Sequence, residues 1–107
     1  TDWPQIVEWY DELLRFADTP IVRLNRAVAV AHAEGPAAGL TALASIDPAV
    51  PRHDAVSAHL HELDGDLEGA ADLYARAARN ATNRAERDHQ IRQAIRVNEM
   101  LRHVGRA

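Results

Sequence analysis

The chain has 107 residues and a formal charge of −4, and all 12 of its basic residues are arginine. This length suits one domain with its own core, and the absence of cysteine excludes disulfides, thiolate metal sites and a cysteine nucleophile. The net charge is −7 over residues 1–83 and +3 over residues 84–107. The acidic first part argues against binding to a phosphate backbone, and the basic last part is interpreted as the solvated face of a terminal helix.

Two helices are predicted in the first third of the chain. The first covers residues 4–17 and is capped by Asp2, and its apolar face consists of Ile6, Tyr10, Leu13, Leu14 and Ala17. The second covers residues 20–35, begins after the Asp18-Thr19-Pro20 break and ends at Gly35. Its apolar stripe is Ile21, Leu24, Val28 and Ala31. Because apolar residues fill most of its circumference, this helix is predicted to be covered on several sides.

Four further helices are predicted over residues 36–46, 52–63, 67–80 and 84–103. The fourth helix has its inward face at Ala55, Val56, His59, Leu60 and Leu63. The fifth has a seam of Ala70, Ala71, Tyr74, Ala77 and Ala78. The last has Ile91, Ala94, Ile95 and Leu101 inward, flanked by Val97 and Met100. No segment shows the alternation of a strand, and no apolar run approaches the roughly 20 residues of a membrane span.

The turn glycines Gly35 and Gly65 lie 30 residues apart, close to the period of about 34 residues in tetratricopeptide repeats. We therefore predict an all-α, tetratricopeptide-like domain over residues 1–107, with six helices in stacked antiparallel hairpins. Two generic alanine-rich hairpins are the alternative interpretation. Since the chain begins at Thr1 without an initiator methionine, we expect it to be one domain of a longer protein.

No catalytic set or metal site is predicted. His59 and His61 are two residues apart and point in different directions from a helix, which leaves too few ligands for a metal. The Asp64-Gly65-Asp66 segment lacks the ordered ligands of a calcium loop and is typical of a turn that caps the next helix. No cofactor is implied.

Polar residues on the apolar helices are the candidates for binding. Asn25 is predicted to be buried, with its amide satisfied by backbone or by Tyr10, and this structural role is favoured over ligand binding. Arg26 either pairs with Glu8 or Asp11 or lines a groove. A partner-binding groove is predicted at Arg23, Arg26, His59 and Glu62.

Several strings resemble a known family: TDWPQIV at residues 1–7, Tyr10-Asp11, PIV at 20–22, LNRAVAVA at 24–31 and GPAAGL at 35–40. They look like the C-terminal tetratricopeptide-like extension of the large extracytoplasmic-function-type RNA polymerase sigma factors. The resemblance covers most of the chain, is strongest in the first 40 residues and is weak after Arg84.

The resemblance implies a bacterial, cytoplasmic, non-enzymatic module of transcription initiation. Its implied partners are RNA polymerase, the N-terminal sigma domains of the same protein and a regulatory protein, without direct nucleic-acid or membrane contact. No site residue is carried over, because the DNA-contacting motifs of the family lie outside this chain. The alternative hypothesis is a small-molecule sensor with a pocket near Trp9, Tyr10 and Asn25.

Overall fold

The computed structural model describes residues 1–106 and contains six helices and no strand within that range. The helices are α1 (Trp3–Leu14), α2 (Pro20–Glu34), α3 (Pro36–Leu43), α4 (His53–Leu63), α5 (Leu67–Arg79) and α6 (Arg84–Arg106). The predicted all-α class and six-helix count are thus confirmed. None of the described helices is both long and apolar enough to cross a bilayer. The helices form two compact units, Thr1–His53 and a second that begins at Asp54.

The predicted helix caps are present. Asp2 accepts a hydrogen bond from the Gln5 N–H at 3.1 Å, and Thr19 accepts one from the Val22 N–H at 3.2 Å. Between α2 and α3, Gly35 has a φ of +104°, a region that residues with a Cβ rarely adopt. Asp66 likewise caps α5 after a turn at Gly65, whose φ is +85°.

Two helices end three residues earlier than the sequence predicts. α1 stops at Leu14 rather than Ala17, because the next two N–H groups bond three positions back, that of Arg15 to Glu12 and that of Phe16 to Leu13 at 3.0 Å. α3 stops at Leu43 rather than Ile46 for the same reason, since the Ile46 N–H donates to Leu43. At the other end of the chain, α6 continues three residues beyond the predicted 103.

In the first unit, α2 lies between α1 and α3 and packs against both. Its buried residues are Leu24, Ala27, Ala29, Val30 and Ala31. The small side chains allow close approach: a Cβ added to Gly39 of α3 would lie 2.5 Å from the Ala31 Cβ. The prediction of a helix covered on several sides is confirmed, although Ile21 in its first turn is exposed and Val28 is only half-buried.

Only part of the predicted apolar face of α1 is half-buried. Ile6, Tyr10 and Leu14 are half-buried as predicted, whereas Leu13 and Ala17 are exposed. α1 packs on α2 along one side, and Leu13 is rotated about 100° from Leu14 around the helix.

In the second unit, a core cluster joins α4, α5 and α6 through Ala58, Ala70, Ala71, Tyr74 and Val97. All five residues of the predicted α5 seam are buried. In α4, Ala55, Val56 and Leu60 are buried as predicted, but Leu63 at the helix end is exposed.

The buried face of α6 differs from the predicted one. The inward stripe is Gln90, Ala94, Val97 and Leu101, with Gln90 and Val97 fully or almost fully buried. Ile91 and Ile95, expected to face inward, are 41% and 52% exposed. The buried Gln90 amide is half satisfied within the helix: Nε2 donates to the Glu86 carboxylate at 3.0 Å, whereas Oε1 is buried without a hydrogen-bond partner among the described residues.

Candidate partner-binding site

Arg23 and Arg26 of α2 line one open polar pocket of about 260 Å³ in the first unit. α1 contributes Asp11 and Leu14 to this pocket, and α3 and the turn after it contribute Ala42 and Ser45. The two arginines are three positions apart on α2, which places both on the same side of the helix. The structure thus brings together two of the four predicted partner-binding residues.

Carboxylates hold both guanidinium groups in place. The Arg26 Nε donates to Asp11 at 2.6 Å, so Asp11 and not Glu8 is its partner. Arg26 also lines the pocket. Arg23 forms a two-pronged pair with Asp18, from Nε at 2.6 Å and from Nη2 at 2.8 Å. The Arg23 hydrogen bonds lower the pKa of Asp18 below its ordinary value.

Glu62, in α4 of the second unit, is the centre of a hydrogen-bonded network. Arg96 of α6 donates two hydrogen bonds of 2.6 and 2.8 Å to the Glu62 carboxylate, and the Tyr74 hydroxyl donates a third at 3.0 Å. The Arg96 hydrogen bonds are the main reason that the pKa of Glu62 is lowered, and the Tyr74 hydrogen bond adds to this effect. Burial is the main reason that the pKa of Tyr74 is raised to about 12, with the hydrogen bond to Glu62 next.

His59 lies one turn before Glu62 on α4 and is half-buried. Its Coulombic interaction is the smallest of the effects that lower the pKa of Glu62. The four predicted residues therefore fall into two pairs, Arg23 with Arg26 in the first unit and His59 with Glu62 in the second.

The expectation of a buried Asn25 is wrong. Asn25 is exposed, whereas Tyr10 is half-buried. Asn25 lies one turn after the exposed Ile21 and about 100° around the helix from the buried Leu24, on a side of α2 that its neighbours leave open. Trp9 is 64% exposed, so Trp9 and Asn25 do not enclose the pocket that a small-molecule sensor would need there.

Sequence reasoning missed Asp18 and Arg96 as functional neighbours. Arg96 is 34 residues from Glu62, and no local spacing predicts such a pair. Asp18 was recognised only as part of a helix-capping break, although the bond to Arg23 is between residues five apart. Across the described residues, no group of three or more histidine and carboxylate side chains is placed to hold a metal ion.

Comparisons with known proteins locate one similar chain. No family model matches the sequence, and no solved structure matches it. An uncharacterized protein of Rhizobium meliloti (strain 1021) is 50% identical over 48 residues, which is 45% of this chain. The match spans 11% of that protein, so this chain corresponds to a small part of its length.

Proposed function

We propose that this chain is a non-catalytic regulatory module of a bacterial, cytoplasmic RNA polymerase sigma factor and that it works by protein contact. The strings at residues 1–7, 20–31 and 35–40 support this assignment by their resemblance to the tetratricopeptide-like extension of such factors. Its partners would be RNA polymerase, the N-terminal sigma domains of the same protein or a regulatory protein.

The observation that carries the contact mechanism is the pair of arginines at the polar pocket in the first unit. An arginine held by a carboxylate has lost part of its side-chain freedom before a partner arrives, so the entropic cost of binding is smaller. The bond from Arg26 to Asp11 uses the Nε–H group, and a guanidinium carries four further N–H donors. With the Arg26 side chain 32% exposed, an acidic side chain of a partner can reach these donors.

The experiment compares the full-length parent protein with a version lacking this domain and with single variants, in polymerase association and in transcription. We expect the deletion to change both readouts. Arg26→Met should weaken association about tenfold, the equivalent of losing ~1.4 kcal/mol. Arg15→Met is the control, because Arg15 is likewise paired with a carboxylate but is more exposed and lies outside the pocket.

The two levels of the proposal fail differently. Unchanged association and transcription after deletion would reject the regulatory function. A deletion effect with no response to Arg26→Met would retain the function and reject the arginine pocket as its contact site.

A further inference from the structure

The α5/α6 groove is an apolar depression of about 330 Å³ on the second unit. Its floor consists of Ala75, Ala78, Ile91, Ala94 and Ile95. Arg79 and Arg87 stand at its rim, together with Asn98. Ile91 and Ile95 are two of the four residues of α6 that the sequence predicts to be inward, and their exposure leaves large apolar side chains open to solvent.

The α1 outer face is a second apolar surface, on the first unit. It consists of Trp9 and Leu13, one helical turn apart, and Phe16 in the turn that follows α1. These residues are 64%, 43% and 80% exposed. Glu8 and Glu12 flank them on one side and are also exposed.

The two surfaces are complementary in charge as well as in polarity. α1 contains three acidic residues and no basic one, and Arg15 directly after it pairs with Glu12 at 3.3 Å, so residues 3–16 have a net charge of −2. α6 contains six arginines and three acids, a net charge of +3. Two copies of the α5/α6 groove would bring like-charged arginine rims together, and two copies of the α1 outer face would bring glutamates together. Pairing one surface with the other avoids both repulsions.

We propose that the α5/α6 groove of one copy of this chain receives the α1 outer face of a second copy, in a head-to-tail contact. Stacked helical repeats normally end in helices with a polar outer face, which prevents such growth. In this chain α1 and the turn after it present Trp9 and Phe16, and α6 presents two isoleucines. A third helix laid along α5 and α6 would bury both sets, as helices pack in the grooves between neighbouring helices.

A head-to-tail contact uses two different surfaces, so it can be tested by complementation. Sedimentation velocity of the 107-residue chain should show association that rises with protein concentration and weakens with added salt. Phe16→Glu should damage the α1 outer face and Ile95→Glu the α5/α6 groove, each weakening self-association about tenfold or more. Mixed together, the two variants should form a 1:1 heterodimer that does not grow, because only one intact groove and one intact outer face can meet.

Controls separate this arrangement from the alternatives. Ile21→Glu places the same charge on an isoleucine outside both surfaces, 66% exposed against 52% for Ile95, and should associate as the unaltered chain does. If circular dichroism shows that Ile95→Glu loses helix, the exposed Arg79→Glu replaces it as the groove variant.

Several results would overturn the proposal. A chain that stays monomeric at every concentration has no such contact. If only the groove variant loses association, the groove pairs with itself, and if only Phe16→Glu does, the outer face pairs with itself. Variants that fail to associate when mixed would likewise exclude the head-to-tail arrangement.

Discussion

Replacing Arg96 by methionine should destabilise the second unit, because it removes both bonds that Arg96 makes to Glu62. These bonds, at 2.6 and 2.8 Å, join α6 to α4 across 34 residues of sequence. Methionine keeps much of the apolar length of the arginine side chain, so the substitution isolates the charged head group from its stem.

The size of this loss in stability depends on how exposed the two side chains are. A hydrogen bond to a charged group contributes ~1.5–3 kcal/mol when well shielded, but the Arg96 side chain is 45% exposed and solvent screens much of this. The Glu62 side chain is 20% exposed, so water partly replaces the lost donors. We expect Arg96→Met to lower the free energy of unfolding by ~1 kcal/mol.

Glu62→Ala should cost more, about 2 kcal/mol, because it also leaves the hydroxyl of Tyr74 without its acceptor. Tyr74 is only 5% exposed, and an unsatisfied buried hydroxyl costs ~1–3 kcal/mol. Once Glu62 is absent, removing Arg96 should have little further effect. The double variant should therefore resemble Glu62→Ala alone, with a coupling energy of about 1 kcal/mol between the two residues.

Urea unfolding followed by far-ultraviolet circular dichroism measures these differences. Arg92→Met is the matched control, since Arg92 is an exposed arginine of the same helix, and it should leave the midpoint unchanged. The pKa of Glu62 is lowered in the folded chain, so the Arg96 effect should be present above pH 4.5 and disappear as the pH falls through that lowered value. Equal midpoints for Arg96→Met and the unaltered chain at neutral pH, or additive single effects, would refute this account of the network.

Two further predictions concern Tyr74 and Gly39. Folding raises the pKa of Tyr74 from 10.0 to about 12, so the protonated hydroxyl contributes fully to the free energy of unfolding below pH 10. This contribution, at most ~2–3 kcal/mol, is lost as the pH rises through 12. In alkaline unfolding experiments Tyr74→Phe should lack this part of the loss, and an unchanged dependence of stability on pH would contradict the assignment. Gly39→Ala should destabilise the first unit by ~1–2 kcal/mol, because the new Cβ would lie 2.5 Å from that of Ala31 and this overpacking outweighs the gain in helix propensity. The control is Ala37→Gly, which loses helix propensity at an exposed position of the same helix. Thermal unfolding should show a lower midpoint for Gly39→Ala than for Ala37→Gly, and a higher midpoint would show that α2 and α3 can move apart freely.

Sequence alone determined the helices of this protein and where most of them begin. Asp2, Thr19 and Asp66 cap their helices through bonds to backbone N–H groups three residues away, and such local geometry is fixed by residue type and spacing. Gly35 and Gly65 end hairpin arms for an equally local reason, since glycine tolerates a positive φ.

The tertiary structure decided which sides of the helices are covered. Leu24 and Ala31 are buried as the predicted stripe indicates, but Asn25 is exposed because α1 and α3 cover other sides of α2. Along α6, hydropathy favoured Ile91 and Ile95, while packing against α5 chose the neighbouring stripe that contains Gln90. A residue pattern specifies an apolar face only to within about the 100° between successive side chains, and that angle separates a core residue from a surface one.

The tertiary structure also decided the long-range polar pairs. For Arg26 the sequence left Glu8 and Asp11 as possible partners, and the bond to Asp11 depends on how α1 lies along α2. Glu62 was selected for binding from its place on α4, and only the folded second unit shows Arg96 and Tyr74 around it. Such pairs join residues on different helices, and helix packing, rather than spacing along one helix, brings them within hydrogen-bond distance.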